Sequence, residues 1–517
     1  MAAILDNNDF LPLPQSHFHN SKRLLTGISK DKIADWLLNE GYFPEHYVLP
    51  PCFKIGSFGL NIEPFHKDLK KLPRRHLVSI SYPKSHLTSR IFAIQHPHNY
   101  HDIVYWILQD WDAIVAHLFH KDLAIYSYSF PLPLDSKSNG NLSKLRAGRM
   151  IYEWIEMAEK DLVAEAHNFR FLIRTDITNF YNSIYTHSIG WALHGREEAL
   201  NDKDILLTGC KIDKLIQSAN DKRTNGIPVG SALSDLIAEI VLARIDRNIS
   251  IKLKYLGIHF LATRFKDDYR ILCDNEGQAK KISKCLADEL SAFNLLINEH
   301  KTKVHNLPEG LYREHDREYY PLSLRKVNTV PFSKFEHTLL KALDIHRHFP
   351  GTSLLEKFLS ELFNRKHELK IQFSHRPESR KKQLLKVFSL LMLLKRESEK
   401  TICLVIAIIA AIYKEYDEEH NLKLILTDLI KAEMAFAADK NSNFELIWMV
   451  FLSKHLQLGM TESINKLNAD GDPFLRTILT ERQDIFTDTK IPLFVNPSEN
   501  QSQNLANTFD VFNRSKT

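Results

Sequence analysis

The segment Phe260-Leu-Ala-Thr-Arg-Phe-Lys-Asp-Asp-Tyr-Arg-Ile-Leu-Cys273 restricts what this chain can fold into more than any other. Two β-prone runs flank Lys266-Asp267-Asp268, which predicts a hairpin with adjacent carboxylates at or beside its tip. Neighbouring carboxylates repel and raise one another's pKa unless a cation sits between them. A hairpin with only a structural role gains nothing from that, although a lone Asp-Asp is in most chains a solvated turn. A second acid closes another β-prone run, Phe169-Arg-Phe-Leu-Ile-Arg-Thr-Asp176. Strand alternation puts Phe169, Phe171 and Ile173 on one face and Asp176, beside Arg174 and Arg170, on the other, toward a polar cleft. Two strands that deliver carboxylates to one place could hold two Mg²⁺ ions about 3.5–4 Å apart, which activates a 3′-hydroxyl and stabilises a leaving pyrophosphate.

The order of short blocks sharpens this. Asp176-Ile-Thr-Asn-Phe-Tyr181 is followed by Gly226-Ile-Pro-Val-Gly-Ser231 opening a helix, then Phe265-Lys-Asp-Asp268, then Asn298-Glu-His-Lys-Thr302. These blocks resemble motifs A, B, C and D of reverse transcriptases, in the family's order. Upstream, Arg90-Ile-Phe-Ala-Ile-Gln-His-Pro97 is similar to the fingers signature R-x-I-x-x-P. The resemblance implies that Asp176, Asp267 and Asp268 are the catalytic, metal-binding triad, with Ile177 also among the metal ligands, and that the cofactor is a pair of Mg²⁺ ions, with Mn²⁺ as a substitute. It implies that Tyr181 is the aromatic gate that leaves no room for a 2′-hydroxyl, so that dNTPs are preferred. Gly226, Pro228 and Gly230 line the nucleotide, Arg90 neutralises its triphosphate, and Lys301 donates a proton to the pyrophosphate.

Two positions depart from the family pattern. Phe265 stands where a tyrosine usually opens the Y-x-D-D box, and Val229 replaces the glutamine of P-Q-G. Valine offers no hydrogen bond to settle the template base. With the helical C-terminal half, this combination resembles the bacterial abortive-infection reverse transcriptases of the prophage-encoded type. That likeness implies antiviral DNA synthesis without a template, primed on a protein tyrosine so that the single-stranded DNA product is covalently attached, by a homo-oligomer with a HEAT-like helical domain. Tyr42 and Tyr47 are two of seventeen tyrosines available for priming. A template-dependent, retron-like enzyme and an inactive binding scaffold are the alternatives, and the phage trigger is not legible.

The expected fold class is α+β: an N-terminal segment (1–30), reverse-transcriptase fingers and palm (31–325), an all-helical HEAT-like domain (326–495) and a flexible tail (496–517). The cut follows Pro308, Gly310, Pro321 and Pro331, after which apolar residues recur at helical spacing. Five scattered cysteines form no C-x-x-C pair, which predicts a reducing cytoplasm and no zinc site. Ile402 to Ile412 is too short to span a membrane, so no membrane partner is expected. The net charge of +5 hides two basic windows. Residues 51–100 carry eight Lys and Arg against two acids, and residues 364–400 carry eleven against four. The first coincides with the expected fingers.

Overall fold

The computed structural model describes residues 11–84, 88–131, 148–483, 485–500 and 505–508, with 148–154, 499, 500 and 507 as backbone only. Nine strands are formed among these residues: β1 (Val78–Pro83), β2 (Ser89–Ile94), β3 (Ile125–Ser127), β4 (Phe171–Asp176), β5 (Phe260–Phe265), β6 (Asp268–Cys273), β7 (Lys303–Asn306), β8 (Val330–Pro331) and β9 (Ile371–Gln372). The chain divides into two compact units. The first holds Met1–Phe43, Phe58–Leu77 and Ala93–Tyr312, and the second holds Pro44–Ser57, Val78–Phe92 and Arg313–Thr517. The sequence reading draws one cut near 325, whereas two N-terminal pieces, 44–57 and 78–92, group with the C-terminal unit.

The first unit is built on a five-stranded sheet of order β3-β5-β6-β4-β7. β4 pairs antiparallel with β6 and β7, β5 pairs antiparallel with β6, and β3 runs parallel to β5. The expected alternation in β4 fails at Leu172, which is as fully buried as Ile173 although it shares a face with Asp176. β4 lies inside the sheet with apolar cover on both faces, so only its end is polar. The helix Ala232–Tyr255 fills the interior beside this sheet, with Leu233, Ile237, Val241 and Ile245 at most 1% exposed. Ser231 caps it, its hydroxyl accepting from the Ser234 N–H at 3.1 Å. This helix is buried on almost every side over its first three turns, a wider apolar face than one stripe predicts.

The second unit carries helices Phe332–His348, Leu354–Ser360, Pro377–Glu397, Ile402–His420, Leu422–Asp439, Asn443–His455 and Pro473–Thr480, with neighbours in sequence packed together from 377 to 455. The apolar run from Ile402 is a core helix, buried through Ile409. No described helix is long and apolar enough to cross a membrane. The unit is not all helical: β8 pairs parallel with β9, and a turn at 364–368 sets Phe363 opposite Leu369 in an antiparallel bridge. Lys395 is fully buried between Glu433, 2.8 Å away, and Glu445. In the expected flexible tail, Leu505 and Ala506 are buried, so that part of it is packed.

Candidate active site

Asp176, the last residue of β4, lies directly across the ladder from Asp268, the first residue of β6. Opposed residues of an antiparallel pair have Cα atoms about 4.5–5.5 Å apart, and like charges there destabilise the sheet. Asp267 occupies the two-residue turn between β5 and β6. Its carbonyl accepts from the Ile177 N–H at 3.2 Å, which ties the hairpin tip to the residue after Asp176. On the other side the Asp176 carbonyl accepts from Asn298 N–H at 2.8 Å. All three aspartates therefore stand at one end of the sheet, delivered by strands whose own hydrogen bonds set their height.

The charges at this end are poorly compensated. Burial, then the nearby Asp176 and Asp268 carboxylates, hold the Asp267 carboxyl above the usual carboxylate range. Asp176 Oδ2 accepts from the exposed Lys301 ammonium, whereas Asp176 Oδ1 is buried and has no hydrogen-bond partner. Asp268 is 40% exposed and lies 3.9 Å from Arg270. Among the described residues no three His, Cys, Asp or Glu side chains converge closely enough to cage a metal ion. Mg²⁺ in phosphoryl-transfer sites is usually held by one or two carboxylates plus substrate phosphates, and for that an orphaned Asp176 oxygen facing Asp268 is a suitable donor set. Ile177 is 2% exposed and has no ligating side chain, so only its main-chain carbonyl could contribute.

The block after Asp176 is stitched to the block before the long helix. Ile227 N–H donates to the Tyr181 carbonyl and Gly226 N–H to the Ile184 carbonyl, both at 2.9 Å. Gly226 has φ +85°, and a Cβ there would sit 3.3 Å from the Asn182 carbonyl oxygen, so the close approach requires glycine. Pro228 is buried, the Val229 carbonyl accepts from Ala93 N–H at 2.9 Å, and Gly230 has φ +122°. Tyr181 is half-buried, with its hydroxyl donating to Asp235 at 2.5 Å. Burial and the Asp235 carboxylate push its phenol well above the ordinary value.

Beneath the hairpin lies a buried ionic group. Arg264, 1% exposed, forks onto Glu239 at 2.8 and 3.0 Å, reaches Asp246 at 2.8 Å, and donates to the Lys266 carbonyl at 3.0 Å. Ser127 and Ser129 hydroxyls complete Glu239, and the Tyr269 hydroxyl completes Asp246. Sequence reading passed over Asp235, Glu239 and Asp246. The signal was three acids on one face of a mostly apolar helix, together with Arg264 inside the strand that ends at Phe265.

Arg90 belongs to the second unit. It is exposed on β2, where it and Lys84 add to the burial that lowers the Lys400 ammonium, with Glu356 opposing. Tyr42 is fully buried and donates to the Gln95 carbonyl at 2.7 Å, so it has no free hydroxyl to offer as a primer. Tyr47 is half-buried and packs edge-on to Tyr82.

Residues 130–333 match the family described as reverse transcriptase (RNA-dependent DNA polymerase). No curated protein matches the chain in sequence. Among solved structures, apo telomerase from Candida tropicalis is similar at 12% identity and a TM-score of 0.33, covering 81% of this chain and 70% of that one. Telomerase from Candida albicans with the TWJ fragment of telomeric RNA gives 10% identity and a TM-score of 0.30, covering 69% of this chain and 66% of that one. The chain carries a reverse transcriptase domain and is an enzyme of the nucleotidyltransferase class.

Proposed function

We propose that this protein is a DNA polymerase of abortive-infection type that adds dNTPs without a template, primed on one of its own tyrosines, as a cytoplasmic homo-oligomer acting against phage. The observation that carries the polymerase reading is the pair Asp176 and Asp268 set opposite each other, with one Asp176 oxygen buried and unpartnered. A fold retains such repulsion where a bound cation relieves it. Mg²⁺ held by Asp176, Asp267 and Asp268 would supply Lewis-acid stabilisation of the attacking hydroxyl and the triphosphate. Lys301, on Asp176 in the free protein, stands within reach to serve the leaving pyrophosphate. Template independence is supported by Val229: its side chain cannot hydrogen-bond, and its carbonyl is engaged by Ala93.

The description of the matched family favours a second reading, in which the enzyme copies an RNA template. The two separate on purified full-length protein given dNTPs and Mg²⁺ with neither template nor primer. The proposal expects a DNA chain that stays with the protein in denaturant and is freed by protease. Synthesis only on addition of RNA supports the second reading. Absence of incorporation under either condition, with phage protection surviving Asp267→Ala, leaves a binding scaffold.

A further inference from the structure

Lys266 takes the first turn position of the β5–β6 hairpin with φ +52°, a left-handed conformation that normally falls to Gly, Asn or Asp. A lysine held there needs contacts that outweigh the strain. Its N–H donates to Ser129 Oγ at 2.9 Å and its carbonyl accepts from Arg264 at 3.0 Å, so both main-chain groups are fixed from below. Its Nζ reaches across to Asp235 Oδ2 at 3.0 Å. Asp235 is 7% exposed in the first turn of the Ala232–Tyr255 helix, and its other oxygen takes the Tyr181 hydroxyl at 2.5 Å. The ammonium also lies 5.9 Å from the Tyr181 ring centroid. Asp235 thus spends one oxygen on each partner, and three elements that carry the site meet at this carboxylate.

We infer that Asp235 and Lys266 are specificity-determining positioning residues, which lock the Tyr181 ring through its hydroxyl in the orientation that excludes a ribonucleotide 2′-hydroxyl. A phenylalanine at 181 would be held by packing alone and could tilt. The tyrosine adds a hydrogen bond to a carboxylate, and Lys266, 3.0 Å from the other oxygen, keeps that acceptor aimed. The lysine between Phe265 and the two carboxylates is then part of sugar selection, and its strained backbone aims the ammonium at Asp235. This inference rests on the reading of Tyr181 as the sugar gate.

The test compares dNTP with rNTP incorporation, as a ratio of kcat/KM, on full-length Tyr181→Phe, Asp235→Ala, Asp235→Asn and Tyr181→Ala proteins, with thermal melting recorded for each. Tyr181→Phe keeps the ring and its volume but leaves one buried Asp235 oxygen without its donor, a cost the melting curve reads. The lock expects Tyr181→Phe and Asp235→Ala each to lower the ratio on the order of tenfold, the worth of one positioning hydrogen bond. It expects the double variant to fall no further than either single one, and Asp235→Asn, which keeps one acceptor oxygen for two donors, to fall between the wild type and Asp235→Ala. A relaxed ratio in Tyr181→Ala with wild-type ratios in Tyr181→Phe and Asp235→Ala overturns the lock and leaves the gate standing. An unchanged ratio in Tyr181→Ala removes the gate, and the lock with it.

Discussion

Arg264→Met tests the buried ionic group that supports the catalytic hairpin. The guanidinium is 1% exposed, and its partners Glu239 and Asp246 are 3% and 2% exposed. Methionine nearly fills the same space, so little of the effect comes from a cavity. Two buried carboxylates instead lose their counter-charge and keep only hydroxyl donors: Ser127 and Ser129 on Glu239, and Tyr269 on Asp246. Removing one partner of a buried ion pair costs about 3–5 kcal/mol, a third or more of a typical domain's stability. The loss should depend on pH. In the wild type, burial outweighs Arg264 and raises the Asp246 carboxyl to about 6 from 3.8. Because the folded value lies above the unfolded one, the contribution of Asp246 to stability falls as pH rises through that window. Without Arg264 the folded value of Asp246 moves higher still. The variant's deficit is then fully expressed at about pH 8 and shrinks toward about pH 5.5, where the Asp246 carboxyl is protonated in the folded chain. The two units need not unfold together, so urea titration should be followed by tryptophan fluorescence: five of the six tryptophans lie in the first unit. A deficit below about 1 kcal/mol at pH 8, or one that does not change with pH, would refute the reasoning.

Asp268→Asn removes one of two opposed like charges; it should raise stability by a few tenths of a kcal/mol while cutting dNTP incorporation on the order of 10²-fold or more, and a loss of stability would mark Asp268 as structural. Gly226→Ala, at φ +85° with the Asn182 carbonyl 3.3 Å from the added Cβ, should cost about 1 kcal/mol or more in urea melts. Tyr42→Phe should leave covalent nucleotide attachment unchanged in mass spectra of the intact protein, because the buried hydroxyl is already donated to Gln95.

The hairpin and the start of the long helix after Ser231 were legible because both are local. β-prone runs around Lys266-Asp267, and a serine ahead of an apolar helical pattern, need no distant partner to be recognised. The arginine–carboxylate group was not legible, since periodicity counts apolar residues and reads an acid on a buried face as noise. Leu172 broke the strand alternation because a strand inside a covered sheet is apolar on both sides. The departures outside the first unit, from the β8–β9 pair to the packed Leu505, are contacts between residues far apart in sequence or within a tail of polar composition. No window of neighbouring residues carries their signal.

The interleaving of the second unit also sets an order of events during synthesis. Phe53 packs edge-on against Phe474 and lies beside Phe494, Tyr82 meets Phe444, and the Gly56 and Val495 N–H groups bond to the Pro492 and Cys52 carbonyls. At about 5–20 residues per second, the ribosome takes roughly 20–80 s to reach the C-terminal partners after the 78–92 segment has emerged. For that interval two apolar segments near the start of the chain are without their packing partners. A nascent chain stalled or cleaved before residue 444 would therefore expose Phe53 and Tyr82 to chaperones and to other nascent chains, and the second unit, begun near residue 44, is finished only when its last helices have been made.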